Sequence, residues 1–175
     1  MLSIHRLRVG MAAMLFSLGG CLSAPPLHPP ESATPELRPE VFFAGRTLGS
    51  GQLEQRGHAA RTLRVESFGR AESGGTFRLD QTVTLADGEV QTRTWFMRRV
   101  DTRAYTATLS DASGEVIAAT YGNVFHLRYL LRNPAVYMEQ WMYLQPDGRS
   151  VINLGTVTVA GVPWARLSEQ IRRVD

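Results

Sequence analysis

Residues 76–100 read TFRLDQTVTLADGEVQTRTWFMRRV, and this stretch decides the fold class. Up to Leu85 the pattern has a period of two. Phe77, Leu79, Gln81, Val83 and Leu85 fall on one face, and Arg78, Asp80, Thr82 and Thr84 on the other. Alternation of that kind marks a strand with one face against a core. Ala86-Asp87-Gly88 then interrupts it, and Asp-Gly between two alternating runs is a hairpin signal. The chain returns with Arg93, Trp95 and Met97 in one phase and Thr92, Thr94 and Phe96 in the other.

The same grammar extends in both directions. GSGQLEQ (49–55) and RTLRVES (61–67) precede the hairpin. AYTATLS (104–110), EVIAATY (115–121), VFHLRYLL (124–131), VYMEQWMYL (136–144) and SVINLGTVTV (150–159) follow it. Turn residues recur every eight to twelve positions, the spacing of an all-β sandwich or barrel. The tail PWARLSEQIRRV (163–174) is ambiguous. Trp164, Leu167, Ile171 and Val174 have helical spacing, whereas Ala165, Leu167 and Ile171 suit a strand. No long amphipathic helix separates the strands, so parallel βαβ units are not expected. About nine or ten sequential antiparallel strands predict an up-and-down, lipocalin-like β-barrel, which removes the exposed edges of an open sheet. A β-sandwich is the runner-up.

The first forty residues have a different character. His5, Arg6 and Arg8 precede the apolar run VGMAAMLFSL (9–18), which is too short to span a bilayer and suits a secretory signal peptide. It ends in Leu18-Gly19-Gly20-Cys21, and Cys21 is the only cysteine in the chain. An apolar residue and two small residues before a cysteine resemble the bacterial lipobox. That resemblance implies a diacylglycerol thioether on Cys21 and removal of residues 1–20. A buried structural thiol and a reactive thiol with a histidine partner are the alternatives, and neither accounts for the order of residues upstream. By the same resemblance, Leu22 in place of aspartate implies the periplasmic face of the outer membrane. Residues 21–40 carry the modified cysteine and six prolines with no apolar periodicity. They read as an extended spacer that builds no core and lifts the folded domain, residues 41–175, off the membrane.

Charge gives little. All nineteen basic residues are arginine, and without the leader seventeen arginines face sixteen acids. They are dispersed along the strands, which argues against nucleic acid as a partner. Catalytic patterns fail as well. His28, His58 and His126 do not sit at metal-ligand spacing with other donors. There is no Gly-x-Ser-x-Gly and no phosphate-cradling Gly-Lys-Thr. Asp80 and Asp111 remain a conceivable acid/base pair, but turn chemistry accounts for Asp111 equally well. The reading favours a non-enzymatic protein over an enzyme acting on a lipid-like or isoprenoid substrate, with no cofactor and no metal.

The remaining candidates are polar groups among aromatics. Arg93 shares a face with Trp95; Glu139, Trp141 and Tyr143 share another; Tyr129 lies in phase with Phe125 and Leu127. If the barrel is hollow, Arg93, Trp95, Tyr129, Trp141 and Tyr143 line it, and an arginine among aromatic walls suits a small hydrophobic or amphiphilic ligand. The competing reading makes the aromatics ordinary core and pairs Arg93 with Glu89 or Asp101 on the solvent face.

Several segments taken together resemble a family of bacterial lipoproteins known as domain of unknown function 3833: FFAGRTLGSG (42–51), LADGEVQTRTW (85–95), YGNVFHLRY (121–129) and EQWMYLQPDGRSVIN (139–153). The resemblance covers roughly residues 41–174 in order and implies a lipocalin-like fold and a lipid anchor, but no activity. The chain departs from the family pattern at Gln81 and Val83, where an acid and an aromatic are usual, and at Val159, where a lysine is usual. The expected function is a lipid-anchored envelope protein binding a small amphiphile. The alternative is a structural or interaction lipoprotein with a filled barrel.

Overall fold

The computed structural model describes residues 22–131 and 135–174. Cys21 and the leader lie outside them. Ten antiparallel strands run in chain order: β1 (Gly45–Gln55), β2 (Arg61–Ala71), β3 (Phe77–Leu85), β4 (Val90–Arg99), β5 (Ala104–Leu109), β6 (Val116–Tyr121), β7 (Val124–Leu130), β8 (Val136–Leu144), β9 (Ser150–Val159) and β10 (Val162–Arg173). Each pairs with its neighbours in sequence, and β10 pairs with β1, so the sheet is a closed up-and-down barrel. Closure excludes the sandwich. It also settles the ambiguous tail. Residues 162–173 are hydrogen-bonded to β9 on one side and β1 on the other, with Leu167 opposite both Gly155 and Leu53. A helix there would leave two open sheet edges unpaired.

The hairpin read from Asp87-Gly88 has the expected chemistry. Gly88 takes φ +88°, open to glycine and costly for other residues. The Asp87 carboxylate accepts the Glu89 amide, 3.1 Å, and turns the chain.

Interior positions alternate as the period-two pattern requires: Leu63 and Val65, Phe77 and Leu79, Trp95 and Met97, Tyr105 and Ala107, Phe125 and Leu127, Met138 and Met142 are all buried. The two ends of the barrel differ. At the base, a short helix α1 (Pro39–Phe42) and its flanks bring Leu37, Phe42 and Phe43 into the core. Leu37 is fully buried, with its amide bonded to the Gly122 carbonyl and its own carbonyl accepting the Thr120 hydroxyl. Tyr105 donates to Glu40 of α1, 2.9 Å. The opposite end, the rim, carries the Ala86–Glu89 and Ala160–Gly161 turns.

The chain ahead of α1 differs from the free-standing spacer expected of its composition. The Ser32 amide donates to Asn123 Oδ1 at 2.7 Å, and the Asn123 amide returns a bond to the Ser32 carbonyl at 2.8 Å. His28 bonds the Tyr143 hydroxyl, and Ser23 bonds the Glu54 carboxylate through its hydroxyl and its amide. The segment is a strap along the barrel wall. Proline-rich sequence lacks a core pattern because it forms no regular ladder, yet it still docks where a strand edge or turn offers partners.

Candidate functional site

The interior is not uniformly apolar. Polar residues interrupt the inward phase, and at mid-height they are Ser67 on β2, Gln81 on β3, Arg93 on β4, Gln140 on β8, Asn153 on β9 and Glu169 on β10. Register groups them into two arcs of a polar belt, one on β2–β4 and one on β8–β10. Ser67 lies opposite Gln81, Gln81 opposite Arg93, and Asn153 opposite Glu169. Hydrogen bonds follow the same course. The Trp95 indole donates to Gln81 Oε1 at 2.7 Å, and Gln81 Nε2 donates to Ser67 at 3.2 Å. Tyr129 donates to Gln140 Oε1 at 3.3 Å, Gln140 to Asn153 at 3.5 Å, and Asn153 to Glu169 Oε2 at 3.0 Å.

Two atoms of the belt have no partner among the described residues: Arg93 Nε and Glu169 Oε1. Buried polar atoms are paired in the great majority of cases, with protein or with ordered water, so a polar neighbour at each of these atoms would be favourable. Glu169 is only 6% exposed. Burial pushes its carboxyl up from the ordinary range, opposed by the Asn153 amide and by the Arg93 charge. Burial likewise pushes the Tyr129 hydroxyl up to about 12, again opposed by Arg93.

Arg93 and Glu169 border one small cavity of about 30 Å³. Gln81, Gln140 and Asn153 complete its polar side, while Phe43, Leu79, Trp95, Met97, Phe125 and Met142 supply apolar walls. A water needs about 10–15 Å³ of such space, so the cavity holds about two. It is amphiphilic, with a guanidinium and a carboxyl on one side and hydrocarbon on the other.

Of the five residues expected to line the barrel, Arg93 and Trp95 border the cavity. Tyr129 points inward beside them, its ring edge-on to Trp95 with centroids 5.5 Å apart. Arg93 pairs with neither Glu89 nor Asp101. Glu89 is engaged by Arg61, and the Asp101 carboxylate accepts the Arg103 and Ala104 amides. Trp141 and Tyr143 depart from expectation, because their side chains lie on the outer face of β8. Met138, Gln140, Met142 and Leu144 take its inner phase. Tyr143 is nevertheless buried, packed with Val124 and Leu154 beneath the strap, and Trp141 stacks on His126 with ring centroids 3.9 Å apart. A period of two groups these aromatics correctly but does not say which phase faces inward. Here the strap dries the outer phase too.

Asp80 and Asp111 form no acid/base pair. Asp80 sits on the outer wall, held by Arg78, Arg70 and the Thr94 hydroxyl. The Arg78 guanidinium beside it keeps its carboxyl below the usual carboxylate range. Gln140, Asn153 and Glu169 were not singled out from sequence. The signal was there: each is a polar residue in the apolar phase of its strand, as Glu169 is between Leu167 and Ile171.

Among the described residues no group of His, Cys, Asp or Glu side chains is placed to hold a metal ion, and no helix is long and apolar enough to cross a membrane.

A family model described as protein of unknown function, DUF3833, matches residues 15–173. The chain belongs to this family. The DUF3833 barrel is similar in fold to the S-type phycobiliprotein lyase CPES from Guillardia theta, with a TM-score of 0.62 at 7% identity over 78% of this chain and 90% of the lyase. Two redesigned β-barrels, mFAP0 and mFAP1, each solved bound to DFHBI, match with TM-scores of 0.41 and 0.42 at 11% identity. They cover 75% and 78% of this chain and 99% and 100% of their own. No protein of curated function matches the sequence.

Proposed function

We propose that this DUF3833 member is an envelope lipoprotein, anchored by acyl chains on Cys21 at the periplasmic face of the outer membrane. Its barrel receives a small amphiphilic molecule, polar end toward Arg93 and Glu169. The observation that carries the ligand reading is that Arg93 and Glu169, each with one buried side-chain atom lacking a partner among the described residues, border a single amphiphilic cavity. A folded chain does not keep a buried guanidinium nitrogen and a buried carboxyl oxygen unpaired without cost. A ligand headgroup with both donor and acceptor atoms would relieve both. Met97 and Met142, unbranched and adaptable, are the walls that would yield to a tail. The anchor reading is supported by the apolar run before Leu18-Gly19-Gly20-Cys21, and by a family match that begins at residue 15, so the junction belongs to the shared span.

A second reading has its own support. The cavity, at about 30 Å³, is far below the roughly 300 Å³ of an ordinary small-molecule pocket. A filled barrel that serves envelope assembly through a protein partner fits that volume without rearrangement.

A soluble form beginning at Leu22 separates the two. Native mass spectrometry should find a co-purifying amphiphile, and fatty acids or lysophospholipids should raise the melting temperature. Arg93→Ala should lose that response while remaining folded. Absence of both signals favours the filled barrel. For the anchor, Cys21→Ala should abolish palmitate labelling and release the protein from membranes.

A further inference from the structure

The strap determines where the anchor emerges. It leaves the base at Leu37 and Ser32, passes His28 on the outer wall of β8, and reaches Ser23 at the Glu54 carboxylate. Glu54 is the penultimate residue of β1, at the rim, and lies opposite Arg166 of β10. Two residues on, the Arg56 amide bonds the Trp164 carbonyl at 2.9 Å. Cys21 is two peptide units before Ser23, and two residues span at most about 7 Å. Acyl chains on Cys21 therefore start beside the rim, not at the end of a stalk.

The adjoining rim is suited to what lies there. Trp164 is 40% exposed, Val162 50% and Tyr137 38%. They sit on β10 and β8, the two strands that flank β9, since Val162 and Val136 both lie opposite Val159, and Thr158 lies between Tyr137 and Pro163. The Arg128 guanidinium stands over the Tyr137 ring, 5.3 Å from its centroid. Tryptophan and tyrosine with an apolar body and a polar tip favour the headgroup level of a bilayer, and an arginine beside them meets phosphate.

We infer that the barrel docks rim-down on the lipid surface, with Trp164, Val162 and Tyr137 at headgroup depth and the base directed away from the membrane. This rests on the proposed lipidation of Cys21. A tether held along the barrel wall cannot hold the domain at a distance, so the acyl chains seat this rim rather than any other face.

The test uses the full-length protein purified from membranes and reconstituted into phosphatidylethanolamine–phosphatidylglycerol vesicles. Single cysteines replace Val162 at the rim or Val100 beyond β4 at the base, each labelled with an environment-sensitive fluorophore. Intact mass reports the acyl adduct on Cys21 independently. With the adduct present, brominated phospholipids should quench the label at position 162 at least about twofold more than the label at 100. Equal or reversed quenching overturns rim docking and leaves the anchor intact. A label at 162 that is shielded from water but not quenched by brominated lipid places a protein there and also overturns it. A mass without the adduct refutes the anchor reading and this inference with it.

Discussion

The carboxylate of Glu169 occupies the space that a side chain at position 49 would need. A β-carbon on Gly49 would stand 1.9 Å from Glu169 Oε1 and 3.2 Å from the Val65 β-carbon. The glycine therefore leaves the room that the Glu169 carboxylate fills, although it carries no functional group. Gly49→Ala should destabilise the barrel by about 1–3 kcal/mol through overpacking. The double variant with Glu169→Ala should recover part of that loss, because the clash and the carboxylate are removed together. Urea unfolding of the four proteins gives the coupling directly. Simple additivity would mean that the two positions do not compete for the same volume.

Glu169 also gives the protein a pH dependence of definite sign. Its folded pKa lies above the ordinary glutamate value of 4.5, chiefly through burial. Between the two values the folded state holds the extra proton, so its stabilising contribution is fully present below 4.5 and is lost as pH rises through the folded pKa. Asp80, Asp87, Asp101 and Asp147 run the other way. Their pKa values are lowered, and what they contribute is lost as pH falls through those values. Glu169→Gln should therefore gain stability relative to the parent as pH is raised from 4.5, and show no such gain below it. Denaturant unfolding across pH 4–8 checks this, and a pH-independent difference would count against it.

Asn123 fastens the strap to the base. Its side chain accepts from the Ser32 amide at 2.7 Å and donates to the Leu144 and Pro30 carbonyls at 3.2 and 3.3 Å. Asn123→Ala leaves buried backbone groups without partners, costing about 2–4 kcal/mol. Asn123→Asp should be at least as harmful, since an acceptor would then face two carbonyls. Limited proteolysis should cut both variants faster between residues 22 and 38. Unchanged resistance there would show that other contacts hold the strap.

Leu37 is the apolar counterpart of that fastening. It is fully buried at the base of the barrel, ahead of α1. Leu37→Ala should cost about 2–5 kcal/mol, the range for a large-to-small change in a well-packed core. A melting temperature within a degree of the parent would contradict it.

These features were unevenly legible in the sequence. The strand phases were readable because each face of the pleat is set by alternation alone, and Asp87-Gly88 fixed a turn because few dipeptides tolerate that backbone. Which phase of β8 faced inward was not readable. Met138, Gln140 and Met142 look no more interior than Trp141 and Tyr143 until the strap is known to cover the latter. The closing strand was ambiguous because its pairing with β1 joins residues more than a hundred positions apart, which no local pattern encodes. Arg93 was visible as an arginine in an apolar phase. Glu169 carries the same mark, but it sits in a segment whose period was itself in doubt.

Pairing of the last strand with the first has a consequence for how the domain comes into being. Leu53 lies opposite both Arg61 and Leu167, so β1 is half-paired as soon as its hairpin with β2 exists and stays so until β10 arrives. During that interval the nascent sheet offers an unpaired edge along its first strand, a template for any extended chain nearby. Contacts that span nearly the whole sequence are slow to form. A chain cut short before residue 162 would lack its closing strand altogether. Such fragments should accumulate as aggregates, and full-length chains should require an escort during synthesis for longer than a domain of this size built from local contacts.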